Sequence, residues 1–539
     1  MNRLLPRIQN RIRRYALDLE SNRRLLQITR QVAQNAHLKP GQPPVAFFNA
    51  TTRLAGISLN AAFSFLAACG VQFTGTPAVY FACKAGMSRC VLGTDRDNLS
   101  VAPPCKACIA QSRWLYSNAP SIPFTYSPDE KLVAVLRDLS VGAMSELEYR
   151  GLPLSELVLP SVRWALRRYH LIDDAPTRFL FREYLLSAQR VAQEFAAFLD
   201  RVQPAVVVVF NGIMYPESAA RWAAGQRGLR VITHEVGIQP FSAFFTGGEA
   251  TAYPMDIPND FELTPEQSSR LDAYLEQRFK GKFSMAGIRF WPEISGLDEA
   301  FLQRAAQLRQ IVPVFTNVIF DTSQVYANTV FPHMFAWLDK VLEIIHRHPE
   351  ALFVIRAHPD ELRPGKASRE AVQDWAREKQ VQSLPNVIFI NSNEYLSSYE
   401  LIQRSKFVMV YNSSIGLEAV LMGAAVLCGG KARYTELPTV FFPETIQAYE
   451  EQAEAFLTAE RIVVPPEFQR NARRYFYYQV YRISLPFGEF LESHLNPGFV
   501  RLRSFPWQKL TPEDSPTMRV LVEGILNRKP FLMDDGPNL

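Results

Sequence analysis

The stretch Ala351-Leu-Phe-Val-Ile355-Arg356-Ala-His358-Pro359-Asp360 and its counterpart Lys406-Phe-Val-Met-Val410-Tyr411-Asn-Ser413-Ser414-Ile-Gly416-Leu-Glu418-Ala419 decide the fold class. Each opens with a short apolar run that predicts a strand buried on both faces, as in a parallel sheet. Each then breaks into a polar segment. Open α/β sheets bind ligands outside the carboxyl ends of their strands, so both polar segments stand where a site is expected. In the second, Ser413, Ser414 and Gly416 begin a helix, whose free N–H groups and dipole favour a phosphate. Glu418 comes one turn later, placed to meet ribose hydroxyls. Arg356 and His358 add a cation and an imidazole at the first strand end. Together these residues outline a site for a nucleotide monophosphate or diphosphate.

Working outward, the same rhythm repeats. Strands Val312–Val318, Asn386–Ile390 and Ala425–Cys428 alternate with helices Met334–His346, Arg369–Lys379, Ser398–Gln403 and Ile415–Met422. Upstream, strands Val45–Phe48, Ala78–Ala82, Ala205–Phe210 and Leu229–Thr233 alternate with helices Leu59–Ala68 and Thr177–Asp200. Alternation of this kind predicts parallel sheets covered on both faces. The expected fold class is α/β, with two facing Rossmann-like domains, an amino-terminal amphipathic helix and a carboxyl-terminal return helix. The expected boundaries are a basic helical arm at 1–42, a first domain at 43–290 with a cysteine loop at 83–108, a second domain at 291–465 and a helical return segment at 466–539. A linker is expected around Gly281–Gly296, and the aromatic helix Arg473–Tyr481 is expected to cross back to the first domain.

At 539 residues the chain is too long for one core. Its 47% hydrophobic and 21% charged content is that of a folded protein rather than a disordered one. The net charge of +5 is concentrated, because residues 1–30 hold eight arginines against Asp18 and Glu20. The remaining body is close to neutral, which argues against nucleic acid as a partner. In the arm, Leu5, Ile8, Ile12, Tyr15, Leu19 and Leu26 follow helical spacing while Arg3, Arg7, Arg11 and Arg14 take another side. Such a helix suits an anionic membrane surface, or packs on the protein with a solvated arginine face. No run reaches the ~20 apolar residues of a spanning helix, and no signal-peptide pattern occurs. The expectation is a cytoplasmic protein, peripheral on the inner face of the membrane.

Two Rossmann-like halves, His358-Pro359 at one strand end and Ser413-Ser414 with Glu418-Ala419 two strands later resemble GT-B glycosyltransferases. The resemblance is to bacterial capsular polysaccharide glycosyltransferases, the group related to Kdo transferases, bacterial polysialyltransferases and teichoic-acid glycerophosphotransferases. It covers about Val312–Arg433, and more weakly Val206–Tyr253. It implies that His358, Ser413 and Ser414 hold the donor phosphates, with Glu418 on the ribose. It also implies a nucleotide-sugar donor and a surface-polysaccharide or lipid-linked glycan acceptor. A sugar-nucleotide 2-epimerase of the same fold is the alternative enzyme, and a non-catalytic component of a glycan-assembly complex is the alternative of another class.

Glycosyl transfer needs a stabilised leaving phosphate and an activated acceptor hydroxyl. Ser413, Ser414, the helix-start amides, His358 and Arg356 or Lys431 supply the first in this reading, with no cofactor required for transfer. His234 and Glu235, at the end of the strand Leu229–Thr233, are the expected general bases, and Asp321 is a third candidate from the other wall. Asp95-Arg-Asp97 follows no strand and reads as a solvated loop. Among six cysteines, Cys83, Cys90, Cys105 and Cys108 cluster in sequence. Four thiolates there would bind a structural zinc ion, the favoured reading, or an iron–sulfur cluster, and four free buried thiols are the remaining reading. Cys69 and Cys428 read as core residues.

Overall fold

The structure, a computed structural model, describes residues 4–49, 56–280, 296–496 and 498–535, with side chains from residue 12 onward. The expected linker at 281–295 and the domain boundary at 290–291 lie outside the described residues, as do the side chains of Arg3, Leu5, Arg7, Ile8 and Arg11. Two large sheets, the first mostly and the second wholly parallel, organise the rest. The first is seven-stranded, in the order Leu485–Pro486, Ser242–Thr246, Arg230–Val236, Val206–Phe210, Val45–Asn49, Ala78–Cys83, Ser121–Phe124. Its last five strands are parallel, while Ser242–Thr246 and Leu485–Pro486 run antiparallel to their neighbours. The second is five-stranded and wholly parallel, in the order Val387–Ile390, Ala351–Arg356, Gln310–Phe315, Val408–Val410, Val426–Cys428. In both, the first strand of the unit is central and the chain then reverses its direction of travel across the sheet. That is the dinucleotide-binding order, and it opens a crevice where the direction changes.

Each apolar run is apolar on both sides because each sheet is covered on both sides. Val45 and Phe47 face a core shared with helix Leu59–Phe73 and with Leu25, Ile28 and Val32 of the long helix Leu4–Asn35. Ala46 and Phe48 face the opposite core, built on helices Leu154–Leu166 and Ala175–Val202. In the second sheet Phe353 and Ile355 pack on helix Met334–Arg347, while Leu352 and Val354 pack on Phe301 from the other face.

The return segment is not purely helical. Helix Pro466–Tyr477 passes into a π turn at Tyr478–Arg482, then Leu485–Pro486 joins the edge of the first sheet. Leu491–Ser493 and Phe499–Leu502 form a small antiparallel sheet with Ile57–Ser58. Helix Pro516–Asn527 then buries Met518, Leu521 and Ile525 in the same core as Phe63. The arm is divided: Leu25, Ile28 and Val32 are buried, whereas Ile12, Tyr15 and Leu19 are 64%, 66% and 42% exposed. No described helix is long and apolar enough to cross a membrane.

Candidate functional site

The crevice of the second sheet lies between strands Gln310–Phe315 and Val408–Val410. Their continuations are tied together there, with Asn317 Nδ2 donating to Asn412 Oδ1 at 2.7 Å. A cavity of about 600 Å³ opens at this point, within the range of small-molecule sites. His358, Asp321, Ser413 and Ser414 line it, and Trp164, Thr251 and Ala252 of the first domain close it from across the cleft. Cations outnumber carboxylates on its wall: Arg363, Lys366, Lys431 and Arg433 against Asp321, Asp360 and Glu436. Some are partly engaged, Lys431 with Glu436 at 3.3 Å and Arg363 with Asp360 at 3.7 Å. Arg433 lies 4.0 Å above the ring of Tyr253, a contact between the two domains.

His358 precedes a 3-10 turn, Pro359–Leu362, and caps it: its Nδ1 accepts from the amide of Asp360 at 3.1 Å. Burial lowers its pKa, with Asp360 and Asp321 pulling the other way. Burial thus favours the neutral ring, and with Nδ1 accepting from that amide the neutral ring carries its proton on Nε2. Ser413 and Ser414 follow the strand Val408–Val410. Among the described residues, no hydrogen bond engages either hydroxyl, and Ser414 starts the helix without capping it.

Three expected donor-site residues serve the frame instead. Gly416 is buried, and a Cβ there would meet Tyr434 Oη at 2.3 Å and Val410 Cγ2 at 3.0 Å. Its role is to let Tyr434 through, and Tyr434 Oη donates to the carbonyl of Ser413 at 2.7 Å. The Gly416 amide donates to that same carbonyl at 3.1 Å, so it does not point at a ligand. Glu418 is 4% exposed and pairs with Arg278 at 2.7 Å while accepting from Tyr399 Oη at 2.6 Å. Its spacing places it on the inner face of the helix Ile415–Leu421, where Arg278 satisfies its charge, away from the cavity. Arg356 is likewise buried; it donates to Leu396 O and to Ser398 Oγ at 2.7 Å, and burial draws its pKa down to about 10.

His234 and Glu235 lie inside the strand Arg230–Val236, not beyond its end. Successive strand side chains point to opposite faces, so the two do not share a wall. His234 is 1% exposed and stacks on Phe245 with centroids 5.0 Å apart; burial takes its pKa down to about 3. Glu235 accepts from Asn211 Nδ2 at 2.8 Å and from Asn60 Nδ2 at 3.3 Å. Burial raises its pKa and these bonds oppose the rise. Neither residue lines the cavity. Asp321 does, exposed on the wall, its carboxylate accepting from Ser323 Oγ at 2.6 Å.

A neighbouring cavity of about 580 Å³ was not signalled by any motif. Glu156, Arg221, Trp222 and Glu249 line it, at the end of the strand Val206–Phe210 in the first domain, and Tyr326 lines both cavities. Tyr326 Oη donates to Glu249, which also accepts from Thr251 Oγ1 at 3.2 Å and lies 3.4 Å from Arg221. The cysteine loop reaches the same cleft. Arg96 stacks 3.5 Å above Trp164 and donates to Gly365 O at 3.2 Å, and Asp97 pairs with Arg167 at 2.5 Å. The Asp-x-Asp sequence is thus an interdomain tie: Asp95 turns its own loop by accepting from the amides of Asp97 and Asn98 at 3.0 Å. Among the described residues, no three His, Cys, Asp or Glu side chains are set to hold one metal ion.

Residues 291–437 match the family model described as capsule polysaccharide biosynthesis protein. Protein FixF of Sinorhizobium fredii (strain NBRC 101917 / NGR234) is 27% identical over 237 residues, 42% of this chain and 49% of that relative. The chain thus matches about half the length of that curated relative. The beta Kdo 2,4 transferase of Thermosulfurimonas dismutans KpsC is 12% identical over 52% of this chain and 80% of its own, with a TM-score of 0.35. A UDP-GlcNAc 2-epimerase from Neisseria meningitidis, solved with UDP-GlcNAc bound, is 12% identical over 80% of this chain and 98% of its own, with a TM-score of 0.26.

Proposed function

We propose that this chain is a nucleotide-sugar-dependent glycosyltransferase of the two-domain kind, acting on a surface-polysaccharide or lipid-linked glycan acceptor. The observation that carries this reading is the cavity at the crevice of the second sheet, where His358, Ser413, Ser414 and a surplus of cations converge. Transfer builds negative charge on the departing phosphate. His358, the Ser413 and Ser414 hydroxyls and Lys431, the last 3.3 Å from Glu436, line the cavity where that charge would develop, which supports the reading. The match of residues 291–437 to capsule polysaccharide biosynthesis proteins supports the same reading from the sequence side.

The adjoining cavity in the first domain is then the acceptor's place. Trp222 offers a face for a sugar ring, and Glu156, Glu249 and Arg221 offer partners for its hydroxyls. Of the carboxylates lining the two cavities, we assign the acceptor proton to Glu249 at the junction or Asp321 on the donor wall. A thermal-shift panel of CMP, CDP, UDP and GDP tests the donor site, because a ligand that binds only the folded state stabilises it by ~2.7 kcal/mol at a hundredfold excess over its Kd. One base should raise the melting temperature of the wild type, and His358→Ala should lose most of that shift. If no nucleotide moves the melting temperature, the proposal is wrong. Glu249→Gln and Asp321→Asn then separate the walls: the true base lowers kcat and leaves the nucleotide shift intact.

A further inference from the structure

The helix Leu4–Asn35 changes its apolar side partway along. Ser21, Leu25, Ile28 and Val32 recur every three or four residues and are buried in the first domain. Carried back towards the start of the helix, that stripe turns polar, at Asp18 and then Arg14. The neighbouring stripe does the reverse. It is polar at Thr29 and Asn22, on either side of the half-buried Leu26, and there the protein covers it. Thr29 Oγ1 shares a hydrogen bond with Ser117 Oγ at 2.9 Å, and Asn22 Oδ1 accepts from Gln111 Nε2 at 3.1 Å. Both partners belong to the helix Cys105–Leu115 or the turn after it. The stripe is apolar at Leu19, Tyr15 and Ile12, which stand exposed. Polar where protein covers it and apolar where none does, this stripe is the reverse of what a folded core selects.

The charge around it identifies the occupant. Residues 3–14 hold Arg3, Arg7, Arg11, Arg13 and Arg14 and no acid. Asp18 and Glu20, the two acids of the helix, are engaged by the body. Asp18 lies 3.5 Å from His494 Nε2, and Glu20 pairs with Arg24 at 2.5 Å and lies 3.5 Å from Arg501. Arg13 and Arg14 are exposed beside Ile12 and Tyr15. The helix Cys105–Leu115 runs parallel alongside, and its register on Asn22 and Thr29 brings its first turn level with the exposed stretch. It too has no acid, with Lys106 and Arg113 exposed and Trp114 39% exposed. A second copy packed on this stripe would set arginine against arginine with no free acid to answer it. An anionic bilayer answers both features: apolar side chains enter the acyl boundary, arginines meet lipid phosphates, and Tyr and Trp rings sit at headgroup depth.

We propose that residues 12–19, with the helix Cys105–Leu115 beside them, dock the protein on an anionic lipid surface. This docking goes beyond the glycosyltransferase reading and does not depend on it.

The test is sedimentation of the full chain with vesicles of phosphatidylcholine alone or mixed with phosphatidylglycerol. The wild type should pellet with the mixed vesicles only, and less as salt is raised. Arg13→Ala/Arg14→Ala should weaken binding by about fivefold for each arginine removed. Ile12→Ser/Tyr15→Ser should weaken it by at least about tenfold, because the apolar anchor is lost. Both variants should keep the wild-type urea midpoint, since the side chains they change are exposed. Equal pelleting with both vesicle types, pelleting with neither, or full binding by Ile12→Ser/Tyr15→Ser overturns the proposal. So does a dimer in light scattering that Ile12→Ser/Tyr15→Ser dissolves while no vesicle binds, which would give the stripe to a second copy. None of these readouts involves a nucleotide, so failure here is distinct from failure of the donor site.

Discussion

Gly416→Ala isolates how the donor wall is held. Gly416 has an ordinary helical backbone, so alanine gains helix propensity worth ~1 kcal/mol. Against this, the new methyl would stand 2.3 Å from Tyr434 Oη and 3.0 Å from Val410 Cγ2. Overpacking of this kind costs ~1–3 kcal/mol, and displacing Tyr434 also forfeits its bond to the Ser413 carbonyl, worth ~1 kcal/mol. The balance is a loss of about 1–3 kcal/mol, read as a lowered urea midpoint, together with weaker nucleotide binding because the Ser413 turn shifts. Tyr434→Phe removes the hydroxyl, leaving Cζ, 3.2 Å from the added methyl, as the nearest ring atom. Combined with Gly416→Ala it should recover part of the loss, giving a coupling energy of at least ~0.5 kcal/mol in a double-mutant cycle. A variant more stable than wild type, or two substitutions that simply add, would refute the reasoning.

Glu418→Gln should destabilise the fold by ~3–5 kcal/mol by leaving Arg278 buried without its carboxylate, while nucleotide affinity in the surviving folded protein stays within about threefold; a large loss of affinity at full stability would return Glu418 to the ribose. Glu361, three residues after His358, is fully buried, accepts from the Val372 amide at 3.1 Å and from Ser392 Oγ at 3.1 Å, and has its pKa raised by burial to about 8. A folded pKa above the unfolded one means stability is full below pH 4.5 and falls as pH rises towards 8. Glu361→Gln should therefore flatten the drop in urea midpoint between about pH 5 and 8, and an unchanged slope would contradict the burial argument. Arg96→Ala should cost ~1–2 kcal/mol through the lost stack on Trp164 and weaken the nucleotide thermal shift; an unaltered shift would detach the cysteine loop from the donor wall.

Much of this was legible in the chain. The all-apolar runs Val206–Phe210 and Ala351–Ile355 could belong only to sheets covered on both sides, and both sheets proved so. The resemblance drawn from His358 and Ser413-Ser414 is borne out by the family match over residues 291–437. The losses have physical causes. A strand end misplaced by three residues, Thr233 for Val236, carried His234 and Glu235 from a loop into the hydrogen-bonded ladder. Glu418 has the right spacing for a ligand, but its partner Arg278 comes from 140 residues earlier, and no local pattern announces it. Ser121–Phe124 and Leu485–Pro486 contain proline and sit at sheet edges, where a missing N–H costs little and the strand signal is weakest. Tyr326 and Glu249 meet only through the packing of the two domains.

The return segment carries a consequence for how the molecule is made. Because Leu485–Pro486, Phe490, Met518 and Leu521 complete the first domain, that domain is written in two pieces with the second domain spliced between them. On a ribosome the second domain has all its strands in hand well before the first has its last one. Closing so long a loop costs little more than closing a short one, ~0.6 kcal/mol for each doubling. The delay is one of order rather than of energy. A nascent chain holds Phe63 without Phe487, and Gly70 without Met518 and Val522, until the return segment emerges, so loss of the helix Pro516–Asn527 should strike the domain whose other strands lie farthest from it in the sequence.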